Sequence, residues 1–275
     1  MKSKKKKTWI RFWICLGITI LFLLFALFGS VLAPYDPLET DYTARLEAPS
    51  AEHLFGTDQL GRDIFSRILY GGRTSLFIAF AVTMIVAAIG ILLGVLAGYW
   101  GGAFDMILMR ISDMLMAFPG MIFTIAIVAF FGTGVQNLIL AMTITGWTSY
   151  ARISRSLVLS LKNNTYIEQA RLGGAGNVRI VTAYILPNIM PALLVNITQD
   201  MGSRILTLAG LSLLGLGSQP PTPEWGYMLA EGKDYMYSAP WMLVAPGLVI
   251  LISVIVFNLL GDALQDLMNP KQEYA

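Results

Sequence analysis

The chain has 275 residues, of which 56% are hydrophobic and only 13% charged. A water-soluble domain carries about 25% charged residues, so this composition, with a mean hydropathy of +0.65, excludes an ordinary soluble fold and points to a bilayer as solvent. The net charge is only +2, and a single cysteine (Cys15) and a single histidine (His53) exclude an intrachain disulfide, a His/Cys zinc site and a hydrolase with a recognisable nucleophile elbow.

The chain opens on a lysine run, Lys4 to Lys7, and is then apolar from Ile10 to Ala33. As a helix this run reaches ~36 Å, enough for a bilayer core of ~30 Å and longer than a secretory h-region. Pro34 follows at once, so residues 1–33 are expected to be a cytosolic basic tail and an uncleaved first span. The lysines suit anionic lipid better than nucleic acid.

Residues 34–74 are polar and turn-rich and form the first expected extracytoplasmic loop. Within it Ile64, Phe65, Ile68 and Leu69 fall on one helical face, with Arg62, Asp63, Ser66 and Arg67 opposite. That pattern fits a helix lying at the membrane interface or one that docks an external binding protein. The core is expected over 75–271. Its spans are 75–98, 106–131, 136–160, 188–216 and 241–265, each about 20 residues or longer. The fold class is therefore all-α, a polytopic membrane protein with six transmembrane helices. With both termini cytosolic, the inner side holds twelve Lys and Arg, Lys271 among them, and the outer side five, which is the asymmetry that orients membrane proteins.

The cytosolic connection 161–187 is the most informative segment. Thr165 and Glu168 have capping-box spacing, which predicts a helix start at Thr165. Gly173, Gly174 and Gly176 predict its end and a bend, and Pro187 marks the next span. A short amphipathic helix, a bend and a second short helix facing the cytosol suit docking into a partner's groove. The glycines are not a phosphate loop, because no Gly-Lys-Ser/Thr follows.

Glu168, Ala170, Gly174, Ile185, Leu186 and Pro187, with ten residues between Gly174 and Ile185, resemble the EAA loop of bacterial ABC-importer permeases. Gln169 departs from the usual first alanine, and Tyr184 stands where histidine is common. Leu54 to Arg67, Ser212 to Gly217, Pro221 to Gly226 and Asn258 to Leu264 resemble the dipeptide/oligopeptide/nickel branch, in its second permease subunit type. The resemblance implies a type I ABC importer permease architecture in a bacterial inner membrane. It implies partners: a second homologous permease subunit, two ATPase subunits and an extracytoplasmic substrate-binding protein. ATP and magnesium would be bound by those ATPases, with no cofactor, catalytic residue or metal site in this chain. The ATPase-coupling residues are then Glu168, Ala170, Arg171, Gly174, Ala175, Ile185, Leu186 and Pro187. Pro220 to Gly226 and Ser238 to Trp241 resemble dipeptide permeases. Arg171 to Gly176 and the placement of Asp200 resemble nickel permeases, so the cargo stays open between a nickel complex and a di- or oligopeptide.

Asp200 and Arg204 are the charges of the fifth span, with Asn196 on the same face. An ionisable residue at mid-bilayer is costly, so these three are candidates for the translocation path. Spaced i, i+4, Asp200 and Arg204 are equally readable as a self-neutralising pair. The rival class is an ATPase-independent channel or secondary transporter, which needs no docking helix and often carries an inverted repeat. No such repeat is visible. An intramembrane enzyme lacks the His, Cys and paired carboxylates it would use.

Overall fold

The computed structural model describes residues 2–268, so Lys271 and the end of the expected core lie outside the described residues. Eleven α-helices and two 3-10 turns, Tyr42–Ala44 and Lys233–Tyr235, are found among the described residues, with no β-strand among them. In order the α-helices are α1 Lys2–Leu27, α2 Gly29–Leu32, α3 Ile64–Trp100, α4 Gly102–Met116, α5 Gly120–Phe131, α6 Val135–Leu161, α7 Thr165–Leu172, α8 Asn177–Arg179, α9 Leu186–Leu213, α10 Trp225–Gly232 and α11 Trp241–Met268. A wide π-type turn, Ile180–Ile185, joins α8 to α9.

Four segments are long and apolar enough to cross a membrane unbroken: Lys7–Leu27, Ile64–Trp100, Asn177–Leu213 and Trp241–Met268. The expected straight span 106–131 is instead two helices, α4 and α5, bent by 89°. Hydropathy runs evenly through the break, but Pro119 cannot continue the hydrogen-bond ladder and disfavours helix in the residue before it. The pair makes a fifth crossing when counted as one span. α6 has 27 residues, or about 40 Å, and is too polar to meet the same hydropathy standard.

The helices run between two ends. The upper end carries residues 33–63, the Gly132–Gly134 turn and α10. The lower end carries the Gly101 turn and the 162–185 connection. α3 is 37 residues long, or ~55 Å, and is the central strut. It packs lengthwise on α6 through Gly90, Gly94 and Gly98. A Cβ on Gly90 would sit 2.5 Å from the Trp147 carbonyl, and one on Gly98 would sit 2.9 Å from Val158 Cβ. Small residues at four-residue spacing are how membrane helices bring backbones together without a hydrophobic drive.

The helix expected to lie at the interface near 54–69 is a correction. Asp63 caps α3 by accepting the Ser66 amide at 2.7 Å, so Ile64 begins the long strut itself. Ile64, Ile68 and Leu69 are buried, and so are Arg62, Asp63, Ser66 and Arg67 on the face expected to be polar and open. The charges are buried because they are paired. Arg62 donates to Asp58 at 2.7 Å and to Glu231 of α10 at 2.7 Å, while Arg67 donates to Asp58 and, at 2.6 Å, to Glu231. Burial works against the Arg62 cation, but Asp58 and Glu231 outweigh it and hold its pKa above the ordinary arginine value. Trp241 adds a bond from its indole to the Thr57 carbonyl at 3.1 Å. The upper segment is thereby locked to α3, α10 and α11.

Candidate functional sites: the lower module and a polar cavity

At the lower end, α7 begins at Thr165, but its N-cap is Asn164. This corrects the capping-box register. The Asn164 carbonyl accepts the Ile167 and Glu168 amides at 2.9 and 3.2 Å. Glu168 thus lies one residue beyond the position that could close the box. It remains in the first turn, where a carboxylate favours the helix dipole, and its side chain is exposed.

The far end of α7 closes in a Schellman motif. The Ala175 amide donates to the Ala170 carbonyl at 3.0 Å and the Gly174 amide to the Arg171 carbonyl at 3.0 Å. Gly174 takes φ +85, a left-handed conformation that costs other L-residues about 1–2 kcal/mol. A Cβ on Gly174 would meet nothing within 4 Å, so the residue is required within this chain for its backbone angle, and its outer side is free. Ala170, Gly174 and Ala175 are therefore the parts of one turn.

Apolar anchors hold the module to the bundle. Ile167, Ile180 and Ile185 are fully buried and pack with Val95 of α3, Val158 of α6 and Ile189 and Leu193 of α9. Tyr99 donates to Asn177 at 2.8 Å, and Lys162 to the Gly98 carbonyl at 3.1 Å. Pro187 stands in the first turn of α9 with Leu186 before it, so Ile185, Leu186 and Pro187 set the exit into the membrane helix. The opposite side of the module is open: Leu172 is 89% exposed and Val178 72%, and Arg171 is exposed beside them. The structure thus brings all eight sequence-predicted coupling residues into one unit, some as anchors and some as surface.

The second site is an open pocket on the side of the bundle, with Asn196, Gln199 and Asp200 of α9 part-buried. A cavity of about 370 Å³ is lined by α6, α9 and α11, with Asn196, Gln199, Asp200 and Ser203 from α9 and Tyr150 and Asn258 from its neighbours. Asp200 stands ~21 Å along α9 from Leu186. Its Oδ2 accepts the Arg204 Nε–H at 3.0 Å and the Tyr150 hydroxyl at 3.2 Å. Arg204 stays out of the lining, its guanidinium against Gly146, where a Cβ would sit only 3.0 Å from it. Asn196 lines the cavity, but its side-chain amide donates to the Ala192 carbonyl at 2.8 Å. Tyr150 had no signal in the sequence, because its partner is fifty residues away and nothing in α6 marks the tyrosine out.

The comparisons with known proteins agree over most of the chain. Residues 90–274 match the family described as binding-protein-dependent transport system inner membrane component, and residues 10–49 match the N-terminal TM domain of oligopeptide transport permease C. A glutathione transport system permease protein of Escherichia coli is 47% identical over 92% of this chain and 84% of its own length. A nickel transport system permease protein of Escherichia coli is 42% identical over 94% of this chain and 93% of its own. A dipeptide transport system permease protein of Alkalihalophilus pseudofirmus is 42% identical over 92% and 83%. Among solved structures, a chain of the inward-facing MetNI methionine ABC transporter superposes with a TM-score of 0.61 at 19% identity, covering 74% of this chain and 97% of that one.

Proposed function

The chain belongs to the family of binding-protein-dependent transport system inner membrane components and is a permease subunit of the ABC-importer kind, and from that premise we propose how it works. It crosses a bacterial inner membrane six times, with α4–α5 as one bent span and α6 as the polar one, and keeps both termini in the cytosol. It forms half of a translocation path with a second homologous permease subunit. Two ATPase subunits bind and hydrolyse ATP with magnesium, and an extracytoplasmic binding protein delivers the cargo. The cargo is a nickel complex or a di- or oligopeptide; the relatives above are named for glutathione, nickel and dipeptide transport.

The observation that carries the reading is the two-sided character of the lower module. Its isoleucines are buried in the bundle, while Glu168, Arg171 and Gly174 are exposed. A rigid attachment with an open outer face transmits force from a docked ATPase to α9. α9 also carries Asn196, Asp200 and Arg204, so movement of the module reaches the polar cavity through one continuous helix. Two arrangements of the bundle, biased from the module, would open it alternately to either side.

The test is Gly174→Asp. The side chain meets no atom of this chain, and aspartate tolerates left-handed backbone better than most residues. The variant should therefore insert and fold, at a local backbone cost of about 1–2 kcal/mol. At a docked interface it adds an unpaired buried charge, which costs about 3 kcal/mol, or more than a hundredfold in association. Co-purification should show loss of the ATPase subunits and of transport with normal membrane levels. Stoichiometric ATPase and intact substrate-stimulated hydrolysis in that variant would refute the coupling role of the module.

A further inference from the structure

A second cavity, of about 1020 Å³, opens as a groove between α1 and a wall built from α3, α9 and α11. Leu16, Ile20, Leu23 and Leu27 form the α1 side, and Phe77, Phe80, Met201 and Phe257 face them. Phe77 is 67% exposed and Phe80 54%, so this apolar surface has no cover within the chain. Arg73, Thr74, Ser218 and Thr222 put polar groups at the upper end, while Thr19 and Thr198 lie deeper, each hydroxyl donating to a carbonyl of its own helix at 2.8 Å. Arg73 lies ~14 Å along α3 from its start at Ile64. It is exposed and, like Arg45, Arg110, Arg171 and Arg179, has no carboxylate partner among the described residues; of these five it alone lines the groove.

We propose that this groove holds one anionic glycerophospholipid, its phosphate on Arg73 and an acyl chain between α1 and α3. Charge complementarity selects the headgroup: a free guanidinium at the polar end of an apolar groove calls for an amphiphile with an anionic head. The lining selects against transported cargo. A peptide or metal complex needs polar partners along its length, as the smaller cavity around Asp200 offers, and away from its upper end this groove offers only two threonine hydroxyls already bonded to their own helices. Its position agrees, because α1 falls in a separate match, residues 10–49, from the 90–274 match that holds the α9 and α11 wall, so the groove lies where an N-terminal helix meets the rest of the bundle. The competing occupant is a helix of the second permease subunit.

The experiment uses the full chain purified with its co-expressed subunits and placed in nanodiscs of phosphatidylcholine and phosphatidylglycerol. Traces of either lipid carry a diazirine on one acyl chain. After photolysis, phosphatidylglycerol adducts are expected on peptides spanning residues 16–27 and 73–80, several-fold above those from phosphatidylcholine. Arg73→Gln should lower the phosphatidylglycerol yield about fivefold, the worth of one basic side chain against an anionic lipid, and Arg73→Lys should retain most of it. Ile20→Trp fills the groove without touching the charge and should lower both probes. Equal yields from the two headgroups, or an unchanged yield in Arg73→Gln, would overturn the site. So would crosslinking of Phe77→Cys to the second permease subunit in place of lipid adducts. If Arg73→Gln fails to accumulate, the headgroup comparison on the unsubstituted complex decides the question alone.

Discussion

Asp200 and Arg204 are an ion pair one helical turn apart, with the Tyr150 hydroxyl on the same carboxylate oxygen. The pairing accounts for their survival in a membrane helix. It does not account for the placing of the carboxylate, rather than the guanidinium, in the cavity lining. Asp200→Asn keeps the volume and the Tyr150 contact and removes the charge. A charge-assisted contact is worth about 1.5–3 kcal/mol, so uptake by the assembled complex should fall roughly tenfold or more with assembly intact. Near-normal uptake would leave Asp200 a structural pair member. At the upper end, Asp58, Arg62, Arg67 and Glu231 balance two charges of each sign with almost no exposure. Removing one partner of such a cluster costs about 3–5 kcal/mol, because the other charge stays buried. Glu231→Gln should therefore lower the apparent melting point of the detergent-solubilised protein by several degrees, and an unchanged melting point would show that the cluster is solvated. The sequence displayed Arg62 and Arg67 as a polar helix face. Their true environment depends on Glu231, more than 160 residues on, which no local pattern can supply.

Among the elements, those set by local chemistry were legible and those set by distant packing were not. α9 and α11 begin close to where Pro187 and the apolar run from Trp241 place them, and the Gly174 turn follows from glycine's access to left-handed backbone. The α7 cap slipped by one residue because Asn164 and Thr165 are both good capping residues and only the tertiary anchoring of Ile167 selects between registers. The α4–α5 elbow was hidden by uninterrupted hydropathy, although Pro119 marks it. The α3–α6 seam also went unread, since Gly90, Gly94 and Gly98 acquire meaning only when α6 lies against them. Gly94→Leu should break that seam: its side chain would enter the Ala151 backbone and the Ser154 side chain, and overpacking costs about 1–3 kcal/mol or more. Fluorescence-detected size exclusion should show loss of the monodisperse peak. Gly17→Leu on α1, which meets nothing within 4 Å, is the control and should keep it. A normal peak for Gly94→Leu would mean that α3 and α6 do not approach this closely in the membrane.

For the molecule as a whole, orientation decides which side of the membrane the lower module and the upper segment each face. The fold separates the basic residues that the sequence divides by side. Arg45, Arg62, Arg67 and Lys233 lie in or beside the upper segment, while Lys7, Arg11, Lys162, Arg171 and Arg179 lie toward the lower end. The rule that orients membrane proteins counts Lys and Arg near span ends and gives acids little weight, so neutralisation of Arg62 and Arg67 by Asp58 and Glu231 does not change the assignment. The lower end is therefore expected in the cytosol, where ATP is, and the locked upper segment outside, where a binding protein arrives. Cys15 is buried and can be removed as Cys15→Ala to give a silent background. In that background Glu47→Cys presents a thiol on the upper segment, and Leu172→Cys presents one on the open face of the lower module, where the native side chain is 89% exposed. A membrane-impermeant maleimide added to intact spheroplasts should label position 47 and leave position 172 untouched until the membrane is opened. The reverse pattern would put the lower module outside, beyond reach of any ATPase, and would refute both the orientation and the proposed coupling.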